Sequence, residues 1–364
     1  MHDFILKEIH NSDLKAELIN IGFDNTYVEK AINKFEYKNY KIYNLTLPQA
    51  NILKQTALSV GADCATHRET ITAKTDKTDV IIGGNLSQLE KIATKLKSQP
   101  FGLKRLGENI LNTKYTKTKT QIVGILNLSK DSFSDGYDQF EEALDHLKEI
   151  ESADIIEIGA ESTRPGYTPV SDEEQLKKLL PILEYLKDKH IISVDTQNSK
   201  VAEECLKMGA NIINDISGFD NDSSMPDIIA KYNAKIVIQH SQNVTTNEDT
   251  FIDDMYLSLK NKIELAISKG IARENIIIDI GIGFGKTRKQ NFEILNRIEE
   301  FYTLGCPVMV GVSRKSLLNM QEKDNIIKDI YTLALNTLLI DKKVDYIRVH
   351  NVKLHRELLN MLNI

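Results

Sequence analysis

The sequence predicts a (β/α)8 barrel preceded by a smaller α/β domain, and three observations carry that expectation. Eight runs rich in Val and Ile recur between residues 121 and 350, helical patterns separate them, and polar residues gather at the C-terminal end of nearly every run. Runs that are apolar throughout, rather than alternating, belong to strands buried on both faces, as in a parallel sheet wrapped by helices. An open doubly wound sheet is the other arrangement of such units, but no Gly-x-Gly-x-x-Gly fingerprint follows the first run.

Length and charge set the frame. The chain of 364 residues has room for one large domain and a smaller one. A formal net charge of −6 speaks against general affinity for nucleic acid and favours small-molecule or protein partners. The stretch from Met1 to Ile9 has neither a basic segment nor a long apolar core, and no run approaches the roughly 18 apolar residues of a membrane helix. No membrane partner is therefore expected, and the location is expected to be cytoplasmic. Cys64, Cys205 and Cys306 are odd in number and far apart, which fits core thiols in a reducing compartment and gives no metal-site spacing.

Residues 1–112 read as the small α/β domain. Helical stretches near 11–21, 25–35, 48–58 and 86–98 alternate with strand candidates at 40–47, 62–66 and 79–83. No cluster of His, Cys or acidic residues builds a site there, and His67-Arg68-Glu69 reads as a solvated turn. Residues 113–120 lie in a polar, basic run without apolar periodicity and read as a linker. The barrel occupies 121–364, with strands at 121–127, 154–159, 191–196, 211–216, 235–240, 275–280, 307–312 and 346–350. Helical patterns between and after them include 140–150, 172–187, 199–208, 251–268, 291–302, 326–340 and 354–362.

In such a barrel the chemistry belongs to the loops at the strands' C-terminal ends. The sequence places there Asn127, Glu161 to Arg164, Asp195, Asn214 with Asp215, Gln239 with His240, Asp279, Arg314 with Lys315, and Arg348 with His350. Helix capping accounts for any one of these, but not readily for the whole set at equivalent positions. Asp195, Asn214 and Asp279 suit a donor-rich heterocycle, because a carboxylate accepts two parallel N–H bonds from a guanidine-like edge. Arg164, Lys315, Arg348 and His350 supply cations for a phosphate or pyrophosphate, with an interior ion pair as the structural alternative for Arg348. The turn Asp279-Ile-Gly-Ile-Gly-Phe-Gly-Lys286 sets one of these acids beside three glycines and leaves Lys286 without a role. The stretches 129–136 and 161–169 are small-residue loops of the kind that close over a substrate.

These stretches together resemble the dihydropteroate synthases, the folate-pathway enzymes targeted by sulfonamides, over roughly residues 119–364. Gly124-Ile-Leu-Asn-Leu-Ser-Lys-Asp-Ser-Phe-Ser-Asp-Gly136 is similar to the family's first signature and Gly159-Ala-Glu-Ser-Thr-Arg-Pro-Gly166 to its second. Five further segments follow in the family's order: Ile192-Ser-Val-Asp-Thr196, Ile212-Ile-Asn-Asp-Ile216, Asp279 to Lys286, Val310-Gly-Val-Ser-Arg-Lys-Ser316 and Ile347-Arg-Val-His350. The resemblance implies a TIM barrel and a transferase in which the amine of 4-aminobenzoate displaces pyrophosphate from 6-hydroxymethyl-7,8-dihydropterin pyrophosphate. It implies that Asp195, Asn214, Asp279 and Lys315 hold the pterin, and that Asn127, Arg348 and His350 hold pyrophosphate, with Asn127 also on Mg²⁺. Thr163 and Arg164 would arrive with the second loop; Arg314, Lys315 and Ser316 would line the aminobenzoate side; Lys315, Asp195 and Arg164 would be the catalytic set. Leaving-group loss runs ahead of amine attack in the family. A homodimer is compatible with the resemblance, which assigns no role to the N-terminal domain.

The chain departs from the family pattern at Ser129-Lys130 for Thr-Pro, Ala160 for Gly, Ile280 for Pro, Asn351 for Asp and Gln239-His240-Ser241 for Met-His-Met. The segment Asp329-Ile-Tyr-Thr332 also lacks the Arg and small residues usual in that helix. Two other readings follow: a non-catalytic pterin-binding paralogue or partner protein, suggested by the departures, and a pterin-dependent methyltransferase on a similar barrel. The cations at 313–316 and 348–350 speak against the methyltransferase, whose chemistry has no pyrophosphate to hold.

Overall fold

The computed structural model describes residues 6–9, 13–112, 119–128, 137–161, 170–241, 249–315, 317–318 and 324–363, with 137–139 described by their backbone. The chain divides into two compact units, Met1–Lys114 and Tyr115–Ile364. The expected linker at 113–120 falls largely outside the described residues.

The first unit contains α1 (Leu14–Asn20), α2 (Val28–Ile32), β1 (Tyr37–Thr46), α3 (Leu47–Leu58), β2 (Asp63–Thr66), β3 (Lys77–Asn85), α4 (Leu86–Leu96) and α5 (Leu103–Asn112). Its sheet has the order β1-β3-β2, and both neighbouring pairs are antiparallel. Two helix starts are set by sequence. Gln49 accepts from the Thr46 N–H at the head of α3, and Asn85 and Gln88 form a full capping box at the head of α4. Ala50, Leu53, Val80, Ile82, Leu89, Ile92, Leu96 and Leu103 form its core. Helix α5 is not among the expected elements: Leu103, Leu106, Ile110 and Leu111 recur at helical spacing, and Leu103 and Ile110 are buried. His67 ends in a short 3₁₀ turn, its Nδ1 accepting from the Glu69 N–H, as a solvated turn would.

The second unit is a closed parallel barrel of eight strands, β4 (Gln121–Asn127), β5 (Ile155–Gly159), β6 (Ile191–Asp195), β7 (Ile212–Asp215), β8 (Lys235–Gln239), β9 (Ile276–Asp279), β10 (Val308–Val310) and β11 (Tyr346–Val349). Closure runs through the β11–β4 pairing, which joins Arg348 to Val123. The helices are α6 (Tyr137–Ile150), α7 (Asp172–Leu186), α8 (Ser199–Met208), α9 (Met225–Tyr232), α10 (Phe251–Ser268), α11 (Arg288–Asn296), α12 (Asn325–Asp341) and α13 (Val352–Met361). The pattern at 291–302 splits into α11 and a 3₁₀ segment, Ile298–Leu304. Outward-facing strand residues such as Ile122, Ile156, Ile192, Ile236 and Ile278 pack with the helices in one continuous core.

Candidate active site

Strand alternation gives each barrel strand an inward set. Val123, Ile155, Ile212, Val237, Ile277, Met309 and Tyr346 cluster in the barrel interior. Two residues further along, the same parity carries Glu157, Asn214, Gln239, Asp279 and Arg348, all on the C-terminal side of this apolar floor. Ser193 and Asp195 of β6 share that parity through the Glu157–Ser193 and Asp195–Asn214 registers. Four of the residues singled out in sequence, Asp195, Asn214, Asp279 and Arg348, thus meet inside one barrel end.

Arg348 is not free at the strand end. Its Nε donates to Glu157 Oε1 at 2.5 Å, its Nη2 pairs with the same oxygen, and Nη2 also reaches Asp195 Oδ2 at 3.3 Å. Two carboxylates around one guanidinium hold its proton above the ordinary range, against the cost of burial. Burial first, then Glu157, pushes Asp195 up to about 7 against the pull of Arg348. Glu157, 1% exposed, escaped the sequence reading because it lies mid-strand; its only sequence signal is an acid inside an otherwise apolar run. Its Oε2 accepts from Asn214 Nδ2 at 3.0 Å and from Ser193 Oγ at 3.4 Å. Asn214 Oδ1 is then buried with no partner among the described residues.

Asp279, 3% exposed, accepts the Gly281 N–H at 2.8 Å through Oδ1, and burial raises its carboxyl while Lys315 lowers it. Lys315 Nζ donates to the Ile282 carbonyl at 2.5 Å and lies 4.6 Å from the centre of the Phe284 ring. Burial pushes its ammonium down to about 8, against the attraction of Asp279. Lys286 acquires a role: its Nζ donates to the carbonyls of His240, Gly281 and Phe284, each at 2.9 Å, and so ties the glycine turn to the end of β8. Burial pushes this ammonium down to about 7, against the attraction of Asp279 and with the repulsion of Lys315.

The rim differs from expectation in two places. His350 Nδ1 is 2.9 Å from Ser313 Oγ, and burial together with Arg314 and Arg348 pushes its imidazole down to about 3. Burial and its cationic neighbours thus favour the neutral imidazole, a hydrogen-bonding group, over the expected cation. Arg314 commits one edge to Asp329, with Nε to Oδ1 at 2.7 Å and Nη2 to Oδ2 at 2.8 Å, and Asn351 Nδ2 joins the same carboxylate at 3.1 Å. Asp329 of α12 thus supplies an acid beside Asn351. Asp215 faces away from the interior and closes a turn, accepting from Ser217 N, Ser217 Oγ and Phe219 N. Asn198, not Asp195, caps α8. Gln239 Nε2 donates to Ser241 Oγ at 2.7 Å. Thr163, Arg164, Ser316 and the loops 129–136 and 162–169 lie outside the described residues.

Three hydrogen-bond acceptors, Asp195, Asn214 Oδ1 and Asp279, therefore share the barrel end with two cations, Lys315 and Arg348. The sequence pattern of the family described as Pterin binding enzyme matches residues 123–350. The chain belongs to the pterin-binding enzyme family. Among its relatives, the dihydropteroate synthase of Clostridium beijerinckii is 41% identical over 244 residues, which cover 64% of this chain and 90% of that protein. A crystal structure of Xanthomonas albilineans dihydropteroate synthase with 4-aminobenzoic acid is 30% identical, with a TM-score of 0.63, covering 67% of this chain and 92% of that one.

A relative in Halobacterium salinarum is described as a probable bifunctional folylpolyglutamate synthase/dihydropteroate synthase. It is 34% identical over 84% of this chain, and this chain spans 40% of its length. That share of the chain is larger than Tyr115–Ile364 can supply, so the match extends into the first unit of this pterin-binding protein.

Proposed function

We propose that the chain is a dihydropteroate synthase, joining 6-hydroxymethyl-7,8-dihydropterin diphosphate to 4-aminobenzoate in folate biosynthesis. The methylene C–O bond breaks, a C–N bond forms to the arylamine, diphosphate leaves, and the amine gives up one proton. The observation that carries this reading is the unpartnered Asn214 Oδ1 between the carboxylates of Asp195 and Asp279. A buried acceptor without a donor costs about 1–3 kcal/mol, and the amino and ring N–H groups of a pterin would supply the donors. Lys315 would complete the pterin contacts, and Thr163, Arg164, Arg314 and Ser316 would serve the aminobenzoate side.

Displacement at the methylene builds positive charge as diphosphate departs, and the carboxylates of Asp195 and Asp279 would favour that charge in surroundings sheltered from water. Arg348 would reach the diphosphate through Nη1, which has no partner among the described residues, and His350 as a neutral donor. Among the described residues no group of three His, Cys, Asp or Glu could hold a metal ion. Mg²⁺ held with a diphosphate needs only one or two protein oxygens, so the Asn127 amide fits that role, and the ion would neutralise leaving-group charge.

No helix among the described residues is long and apolar enough to cross a membrane; a cytoplasmic setting belongs to the proposed reading. A homodimer would cover an apolar stripe on α12, where Ile326, Ile330 and Leu338 are 71%, 54% and 62% exposed. Purified protein with both substrates and Mg²⁺ should release diphosphate and form dihydropteroate. Turnover no faster than without protein refutes the synthase. Pterin binding without turnover would select a non-catalytic pterin-binding protein.

A further inference from the structure

The pterin reading leaves one buried charge unused. Glu157 shares the inward-facing layer with Asn214 and Arg348, is 1% exposed, and spends its carboxylate on three side chains: those two and Ser193. Oε1 takes the Nε and Nη2 edge of Arg348, and Oε2 takes Asn214 Nδ2 and Ser193 Oγ. A carboxylate accepts hydrogen bonds and does not donate them, so the Asn214 amide has to turn its NH2 toward Glu157. The other end of the amide, Oδ1, is then left buried and without a partner.

We propose that Glu157 is a positioning residue of the pterin site: its carboxylate fixes the Asn214 amide with the carbonyl oxygen toward the ligand and holds Arg348 by one edge. Without that carboxylate the two ends of the amide become nearly equivalent to their surroundings. A flipped amide would present NH2 to a ligand edge that is itself made of N–H donors. The same carboxylate takes two of the three guanidinium nitrogens of Arg348, so Nη1 is what remains for an anionic ligand group. Glu157 also adds like charge beside Asp195, which Asp215 of β7 and Glu161 after β5 increase and Arg348 of β11 offsets.

This inference rests on the pterin reading, and a double-mutant cycle separates the two. Calorimetry would measure 6-hydroxymethylpterin binding to wild type, Glu157→Gln, Asn214→Ala and the double variant, with thermal denaturation run on each. Glu157→Gln should weaken binding about tenfold when Asn214 is present and less than about threefold in the Asn214→Ala chain, where no carbonyl remains to orient. KM for the pterin substrate should rise in step while KM for 4-aminobenzoate stays unchanged. Equal weakening in both backgrounds, or none in either, overturns the proposal. Should Glu157→Gln not fold, Glu157→Asp keeps the charge for Arg348 but falls one methylene short of Asn214, and the same cycle with it has the same two outcomes. A wild-type chain that binds no pterin overturns the functional reading, and this inference with it.

Discussion

Gly281 lies so close to His240 that a Cβ on it would stand 1.9 Å from the His240 carbonyl oxygen. The φ of Gly281 is +65°, a conformation that also disfavours a side chain. That carbonyl is one of the three that bind Lys286, so the glycine, the strand end and the lysine form one joint. Gly281→Ala should destabilise the barrel by about 2–4 kcal/mol in denaturant unfolding, because backbone must move. Gly283→Ala is the contrasting case. Its φ of +84° carries a similar backbone strain, but its Cβ would meet only Lys315 Cδ at 3.1 Å, the middle of a flexible side chain, so it should cost less stability than Gly281→Ala and more pterin affinity.

Asp279 combines burial with a single backbone partner, Gly281 N, on Oδ1. The other oxygen is the candidate acceptor for the pterin edge. Asp279→Asn should weaken pterin binding by about 1.5–3 kcal/mol, the range for a hydrogen bond to a charged group. Calorimetry that finds unchanged affinity would remove Asp279 from the site.

The pH dependence of Lys315 has a definite sign. Its ammonium is pushed down from 10.5 to about 8 in the folded protein, so the cation is lost as pH rises through about 8. Activity that needs this charge should fall across that region, and Lys315→Arg should extend the active range upward if the guanidinium fits. Stability moves the other way. Between about 8 and 10.5 the unfolded chain binds more protons than the folded one at this group, so the contribution of Lys315 to stability rises with pH. A pH–rate profile and unfolding curves at the same pH values test both signs; activity flat from pH 7 to 10 would exclude a required Lys315 cation.

The barrel was legible because each of its strands is a compact run of β-branched residues, and the site was legible where a polar residue ended such a run. Asp195, Asn214 and Asp279 are of that kind. What stayed hidden was pairing. Nothing near Arg348 in sequence names Glu157, which lies 191 positions away, and nothing near Arg314 names Asp329, because partners across a closed barrel are fixed by register and helix placement. Glu157 was hidden for a second reason: a mid-strand acid in an apolar run looks like an exposed interruption until barrel closure turns its face inward. Lys286 illustrates the same limit, since its three acceptors belong to two different strand ends and their loop.

The α12 stripe bears on assembly. Ile326, Ile330 and Leu338 recur at helical spacing along one exposed face, while Asp329, Thr332, Asn336, Leu339 and Ile340 occupy the buried face. Scattered exposed apolar residues are ordinary, but three on one face of a single helix form a patch that a second copy of the chain would cover. The same helix carries Asp329, whose carboxylate holds Arg314 and Asn351 at the rim of the site. In the proposed homodimer, Leu338→Glu, about two and a half turns from that clamp, should shift the protein from dimer to monomer in sedimentation while leaving pterin affinity within about twofold, because the introduced charge cannot be buried in an apolar interface without a partner. Ile330→Glu, adjacent to Asp329, should dissociate the dimer as well but also weaken the Arg314 clamp by adding like charge. Sedimentation showing a monomeric wild-type protein, or a dimer that survives Leu338→Glu, would place the contact elsewhere.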